Sequence, residues 1–133
     1  LLAAGFNRIE EDTLGELELG VYLGQDEPSG IDEQAAAGWA GDQLVVYQRG
    51  DETGVVWWTT WDSETDAQEA FAAAREVSPK DSGAGTERKG RSVLIIRGIP
   101  HRLHRAIRSD FTAFARDVKD APPPPDLPPN LVY

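Results

Sequence analysis

Two stretches decide the fold: QLVVYQR at residues 43–49 and GVVWWTTW at residues 54–61. Both are rich in β-branched and aromatic residues, and the polar residues 50–53 join them, which is typical of an antiparallel β-hairpin. Side chains alternate between faces along a strand, so Trp57 and Trp61 share one face while Trp58 lies on the other. Because each face carries a tryptophan, we expect the second strand to be covered on both sides.

A helix is predicted directly after the hairpin, and two more strands follow it. Ser63 is suitably placed as the N-cap, and an alanine-rich apolar stripe at helical spacing follows it. Residues 86–89 and 91–97 fit two strands that turn at Gly90, and the second contains the apolar run VLII.

Both ends of the domain are predicted to be helical. Residues 12–23 fit a helix with Thr13 as N-cap and Glu16 completing a capping box, although a strand period also fits residues 17–23. A short helix is predicted at residues 32–37. A longer amphipathic helix follows Pro100, and its apolar stripe consists of Leu103, Ile107, Phe111, Phe114 and Val118.

This order of elements predicts one α+β domain over residues 1–120. We expect an antiparallel sheet of about four strands with the two long helices packed on one face. Residues 121–133 contain the run PPPP and two further prolines, so an extended Pro-rich C-terminal tail of polyproline II type is predicted there.

Composition restricts the possible functions. The chain has 133 residues, no Cys, and 23 Asp+Glu against 13 Lys+Arg, a net charge of −10. The acid excess argues against nucleic-acid binding, and the lack of Cys excludes thiol chemistry. No apolar run approaches the ~20 residues of a membrane-spanning helix. A chain that starts at Leu1 without any Met indicates a processed product or a piece of a longer protein, in which an N-terminal anchor could precede Leu1.

Charge is unevenly distributed along the chain. Residues 1–85 hold 18 acidic and 4 basic residues, whereas residues 86–133 hold 5 acidic and 9 basic residues. This asymmetry fits either two solvated faces of one domain or a dipolar surface that orients the domain against a partner.

The sequence contains no recognisable catalytic or metal-binding constellation. His101 and His104 are three residues apart, but a zinc site needs more ligands, and the neighbouring Arg102 and Arg105 would repel a cation. We interpret both histidines as solvated helix residues. No cofactor, metal or catalytic residue is therefore predicted, and the domain is not expected to be an enzyme.

The clearest candidates for a binding surface are aromatic, basic and proline-rich residues. The four tryptophans, all within residues 39–61, could be core or could line an interface or ligand pocket. The outward-facing member of the Trp57/Trp58 pair is the better interface candidate. The predicted interaction residues are Trp58, Arg102, Arg105, Arg108, Pro123, Pro125, Leu127, Pro128, Leu131 and Tyr133.

One pattern resembles a known group of proteins. AAAGWAGDQLVVY at residues 35–47 and VWWTTWDSETDAQEAF at residues 56–71 resemble the C-terminal region of uncharacterised secreted or lipid-anchored bacterial and archaeal envelope proteins. Their pattern is roughly A-x-x-G-W-x-G-D-R, a hairpin, then W-x-x-x-W-D-S-x-x-D-A-x-E-F. Gln43 replaces the usual arginine, and Phe71 lies one place late. The motif residues also have structural explanations, with Asp42 capping a helix or bonding backbone and with Trp39 and Trp61 as core.

The resemblance implies an exported module located in the periplasm or at the cell surface. We expect a non-catalytic accessory domain that docks on a larger envelope or membrane-associated protein complex, with the tail and the basic last helix as contact elements. Longer bacterial relatives carry an upstream zinc-peptidase-like H-E-x-x-H, which this chain lacks. One alternative is therefore an accessory domain of such an enzyme, and another is a small-ligand binder that uses the tryptophans.

Overall fold

A computed structural model describes residues 1, 4–24, 30 and 33–120, with side chains through Asp117. The predicted tail at residues 121–133 lies outside the described residues, and so do its candidate interaction residues Pro123, Pro125, Leu127, Pro128, Leu131 and Tyr133. Asp32 of the predicted short helix and the side chain of Val118 also lie outside them.

The described chain is an α+β domain built on an antiparallel sheet. Within residues 1, 4–24, 30 and 33–120 the sheet has five strands, in the order β1-β2-β3-β5-β4. A 3₁₀ turn at His101–Leu103 leads into the last helix. The strands are β1 (Asn7–Asp12), β2 (Trp39–Arg49), β3 (Glu52–Trp61), β4 (Gly85–Lys89) and β5 (Ser92–Arg97), and the helices are α1 (Gly15–Leu23), α2 (Glu33–Ala36), α3 (Glu64–Glu76) and α4 (His104–Asp120).

The predicted hairpin is confirmed as β2 and β3. Its register pairs Gln43 with Trp58 and Leu44 with Trp57, and a bulge lies between Trp39 and Gly41. β4 and β5 turn at Gly90 as predicted. The prediction of about four strands is wrong, because the described sheet has five. The strand that was not predicted is β1, which pairs antiparallel with β2 at the edge of the sheet. Its sequence, NRIEED, is exposed throughout and has no apolar alternation, because neither face of this edge strand is buried.

The two long helices lie on opposite faces of the sheet, which corrects the prediction that they share one. On one face, the alanine stripe of α3 packs in a cluster with Trp57, Trp61 and Ile95. On the other face, Ile107 and Phe111 of α4 pack with core residues that include Val56, Leu94 and Ile96. β5 is buried along almost its whole length because both of its faces are covered.

Asp42 caps α1 from a distant part of the chain. Its carboxylate accepts the backbone N–H groups of Leu14 and Gly15, both at 2.9 Å, and the indole N–H groups of Trp39 at 3.1 Å and Trp57 at 2.9 Å. The predicted capping box at Thr13 is wrong, since the residue before α1 is Leu14 and no side chain of the helix start caps it. Asp42 therefore bonds backbone groups, as predicted, and the groups that it bonds join the start of α1 to the hairpin.

The start of α3 is fixed by Ser63, as predicted. Its hydroxyl accepts the Asp66 backbone N–H at 3.1 Å and donates to the Asp66 carboxylate at 2.8 Å. Gly38 has a φ of +81°, and a Cβ at this position would collide with the Asp66 carboxylate. The glycine, serine and aspartate of the pattern are thus explained by close packing between the start of β2 and the start of α3.

Candidate functional site

A groove lies between the sheet and one flank of α4. Two overlapping cavities of about 250 and 240 Å³ share the lining residues Arg8, Tyr47, Val56, Trp58 and Asp110. We call this region the sheet–helix groove. It arises because α4 packs over the β5 side of the sheet and leaves the β1 and β2 side of the same face open.

The floor of the groove is apolar and aromatic. Val45 and Tyr47 of β2 alternate onto the face that Val56 and Trp58 present from β3. The wall is formed by Ala106 and Asp110, which are one helical turn apart on α4. Phe114, a further turn along, contacts Trp58 with ring centroids 4.8 Å apart. This arrangement offers a strip of aromatic surface that an elongated ligand can cover.

Trp58 has an unpaired hydrogen-bond donor. Its indole N–H is shielded from solvent and has no acceptor among the residues that the structure describes. Buried indole N–H groups normally have a partner, because an unmade hydrogen bond in a low-dielectric environment costs about 1–3 kcal/mol.

Charged groups of both signs flank the apolar floor. On the sheet side, the Arg8 guanidinium donates to Glu11 at 3.0 Å, and the Gln43 amide donates to the same carboxylate. On the helix side, the Asp110 carboxylate is exposed. An apolar floor with a few polar groups at its edges is the usual composition of a binding site.

The size of the cavities limits what can bind. Small-molecule sites generally begin at roughly 300 Å³, and cofactor sites are larger. Each of the two overlapping cavities, of about 250 and 240 Å³, has room for one or two side chains of a partner segment. Together they approach the size of a small-ligand site, so the volume of the groove admits either a polypeptide segment or a small molecule.

The structure separates the tryptophans that the sequence grouped together. Trp57 is only 3% exposed and Trp61 1% exposed, both in the α3 cluster. Trp58 is half-buried on the opposite face, in the groove. Sequence reasoning missed Arg8, Tyr47 and Asp110. Given the register of the hairpin, side-chain alternation would have predicted that Tyr47 lies on the same face of the sheet as Trp58. The position of the groove wall on α4 could not have been predicted in this way.

The three candidate arginines of the last helix have different environments. Arg102 and Arg105 are exposed, and neither has an ion pair within the described ranges. Arg108 instead lies against β4, with its Nε 3.8 Å from a carboxylate oxygen of Glu87. The exposed pair leaves two free cations close to Ala106, at one end of the groove.

The prediction that both histidines are solvated is wrong for His104. His101 is exposed, but His104 is only 1% exposed, and its Nε2 donates to the Ile99 carbonyl at 2.7 Å. Burial lowers the pKa of the His104 imidazole below its ordinary value of 6.5, and the hydrogen bond to Ile99 opposes this shift only in part.

The buried imidazole should make the fold less stable in mild acid. Well above pH 6.5 the ring is neutral in both states, but as the pH falls through 6.5 the unfolded chain binds a proton before the folded chain does, so unfolding becomes easier. Urea unfolding between about pH 7.5 and about pH 5.5 should show this loss. His104→Gln should reduce the pH dependence, whereas the exposed control His101→Gln should leave it intact. Equal profiles for the two variants would contradict the assignment.

Comparison with known proteins identifies the domain family. The sequence pattern of a domain of unknown function, DUF8575, matches residues 4–110. The chain belongs to the DUF8575 family. The match extends from just before β1 into α4, so it includes the five shared lining residues of the groove and ends before the tail. Searches of curated proteins and of solved structures found no match to this DUF8575 chain.

Two further observations concern the described part of this DUF8575 domain. Its described residues contain no group of three or more His, Asp or Glu side chains placed to hold a metal ion. None of the described helices is long and apolar enough to cross a membrane.

Proposed function

We propose that this domain is a non-catalytic interaction module that binds an extended segment of a partner protein in the sheet–helix groove. The observation that carries the proposal is the aromatic floor of Tyr47 and Trp58, closed on one side by α4.

The chemistry of the groove favours an extended polypeptide. Grooves lined by aromatic side chains bind extended and polyproline II segments, because flat rings pack against the segment and polar groups bond its free carbonyls. Trp58 supplies an aromatic ring to the floor, and Phe114 packs against that ring. The partner segment therefore carries one or two apolar side chains or prolines at the positions that enter the cavities.

The surroundings of the groove add an electrostatic component. Arg102 and Arg105 are exposed near one end, in a chain of net charge −10. Local positive charge on an acidic domain orients an approaching partner and raises the rate of productive encounters. Acidic residues flanking the bound segment would match this end of the groove.

The proposed place of action is the cell envelope. The pattern at residues 35–71 resembles exported envelope proteins, and this resemblance supports an extracytoplasmic domain that docks on a larger, membrane-associated protein complex. An anchor preceding Leu1 or the partner itself would supply the membrane association.

Site-specific photocrosslinking tests the proposal. Gln43 is exposed at the edge of the groove, and Gln68 is exposed on α3, on the other face of the sheet. Each is replaced by benzoylphenylalanine in cells that express the protein, and the crosslinked products are separated by mass. We expect a discrete adduct with one envelope protein from position 43 and none from position 68.

A blocked groove provides the matched control. Ala106→Arg adds a long side chain to the groove wall, whereas Ala72→Arg adds the same side chain at an exposed position of α3, on the other face of the sheet. Arginine is a good helix former, so both variants should fold. The position 43 adduct should disappear with Ala106→Arg alone. An adduct that persists in both variants, or that forms only from position 68, would overturn the proposal.

A further inference from the structure

We propose that the outer side of α1 is a second docking surface, which binds a basic amphipathic helix of a partner protein. The surface consists of Leu17 and Val21 on α1 and of the cavity between α1 and α2, and we call it the α1 surface. Because α1 packs in the cluster with α3, this surface lies on the opposite face of the sheet from the sheet–helix groove. It is therefore a separate site from the one in the proposed function.

α1 is apolar on every side, including the side that faces solvent. Leu19 and Leu23 are buried in the cluster that contains Trp57 and the alanines of α3, but Leu17 is 69% exposed and Val21 is 45% exposed. A helix that is apolar all round is normally buried all round, because each exposed apolar side chain forgoes the free energy of burial. Leu17 and Val21 are one helical turn apart, so they form a ridge of the kind that packs against another helix.

A cavity beside this ridge can receive side chains of that helix. It has a volume of about 350 Å³ and lies between α1 and α2. Gly20 and Ala36 line it, and their small size leaves the space between the two helices open. Ridge and cavity together form an apolar surface with a projecting part and a recessed part, as in grooves that bind amphipathic helices.

The charges around the ridge determine which helix fits. Glu16 and Glu33 lie at the cavity, and Glu18 lies on the other side of the ridge; all three are exposed. None of them has an ion pair within the part of the chain that the structure describes. Neither α1 nor α2 contains a basic residue, and Arg97, which donates to the Tyr22 hydroxyl, belongs to β5 on the buried side of α1. Lys and Arg residues beside the apolar stripe of a partner helix would therefore meet carboxylates on both sides.

The same carboxylates disfavour two other occupants. A two-fold contact with a second copy would bring the glutamates of both α1 helices together, and like charges across an interface cost free energy. An anionic lipid surface attracts basic segments, so it would repel this acidic one. A basic helix of a different protein is the occupant that satisfies both the ridge and its charges.

Fluorescence anisotropy with a labelled synthetic peptide tests the inference on the full chain. The probe is an amphipathic helix of leucine and lysine, and the control peptide has glutamate at every lysine position. We expect the domain to bind the lysine peptide, and to bind the glutamate peptide at least about tenfold more weakly. Failure of the lysine peptide to bind, or equal binding of both peptides, would overturn the inference.

Two matched variants locate the bound peptide. Leu17→Gln removes the most exposed apolar side chain of the ridge, and Ile9→Gln removes an exposed apolar side chain of β1. Glutamine is a good helix former, so Leu17→Gln should fold, which far-UV circular dichroism checks. Leu17→Gln should weaken binding of the lysine peptide about tenfold, since one leucine contact is lost, and Ile9→Gln should change it less than about twofold. Equal effects would overturn the inference.

Removing carboxylates tests the charge argument. Glu16→Gln combined with Glu33→Gln should weaken binding of the lysine peptide several-fold, because both charges lie at the proposed contact. Asp51→Asn combined with Asp117→Asn removes the same net charge from exposed positions in the hairpin turn and near the end of α4, and it should have a much smaller effect. Equal losses would indicate general attraction to an acidic protein and overturn the inference.

Two further measurements test the disfavoured occupants. Sedimentation velocity should give the same oligomeric state for the unchanged chain and for Leu17→Gln, and phosphatidylglycerol vesicles should not retain the domain. A dimer that Leu17→Gln dissociates would assign the α1 surface to a second copy. Retention on the vesicles that Leu17→Gln abolishes would assign it to lipid. Either result would overturn the inference.

The α1 surface and the sheet–helix groove can fail separately. Ala106→Arg, which blocks the groove, should leave the affinity for the lysine peptide unchanged. Leu17→Gln should leave the crosslinked adduct from position 43 intact. Loss of peptide binding with Ala106→Arg would place the helix in the groove and overturn the second docking surface.

Discussion

Asp42→Ala should destabilise the domain by about 3 kcal/mol or more, because it removes the acceptor of four N–H groups at once. Two of these donors are the otherwise uncapped backbone groups at the start of α1, and the other two are the indoles of Trp39 and Trp57. Hydrogen bonds to a charged acceptor contribute about 1.5–3 kcal/mol each, but the losses overlap, since α1 can fray once its cap is gone.

Urea unfolding followed by far-UV circular dichroism measures this loss. Asp51→Ala, in the exposed hairpin turn, is the matched control and should change the free energy of unfolding by less than about 0.5 kcal/mol. Asp42→Asn should be intermediate, since the amide retains one acceptor but directs N–H groups at other N–H groups. If Asp42→Ala were as stable as Asp51→Ala, the proposed role of Asp42 in joining α1 to the hairpin would be wrong.

Gly98→Ala should be the second severe substitution, with an expected loss of about 3 kcal/mol or more. Gly98 has a φ of +69°, and a Cβ there would collide with the Thr53 carbonyl oxygen, which belongs to the backbone of β3 and cannot turn away. Relief would require the turn after β5 to move, together with the fully buried Ile99.

Gly50→Ala separates the two causes of that loss, which are the positive φ of the backbone and the collision of the new Cβ with Thr53. Gly50 also has a positive φ, +57°, but nothing lies within 4 Å of its would-be Cβ. Its substitution should therefore show the conformational cost alone, about 1 kcal/mol. Thermal unfolding of both variants tests the difference, and equal melting temperatures would show that the contact with Thr53 adds nothing.

Local patterns predicted most of the elements but not how they are joined. β2 and β3 were predictable because β-branched and aromatic residues alternate along them, and α3 because Ser63 begins it directly after the hairpin. β1 was not, because a fully exposed edge strand has no buried face to mark it. The true cap of α1 was also missed, since Asp42 lies 27 and 28 residues away from the groups it binds.

The side on which each helix packs depends on chain path, which an apolar stripe does not encode. Two signals nevertheless pointed to covered faces on both sides of the sheet: the tryptophans on each face of β3 and the continuous apolar run of β5. The groove depended on the same missing information. Trp58 was identified as an outward-facing candidate, but the wall at Ala106 and Asp110 follows from where α4 crosses the sheet.

The two edges of the sheet differ in charge, and this bears on how copies of the domain could associate. β1 carries three acidic residues and one basic, whereas β4 carries two basic residues and one acidic. A contact that joined β1 of one copy to β4 of the next would be heterologous, so it would repeat into a ring or an open filament rather than close into a two-fold dimer. The irregular register of β1 between Arg8 and Glu10 interrupts the row of backbone groups that such growth needs, and so protects the free edge.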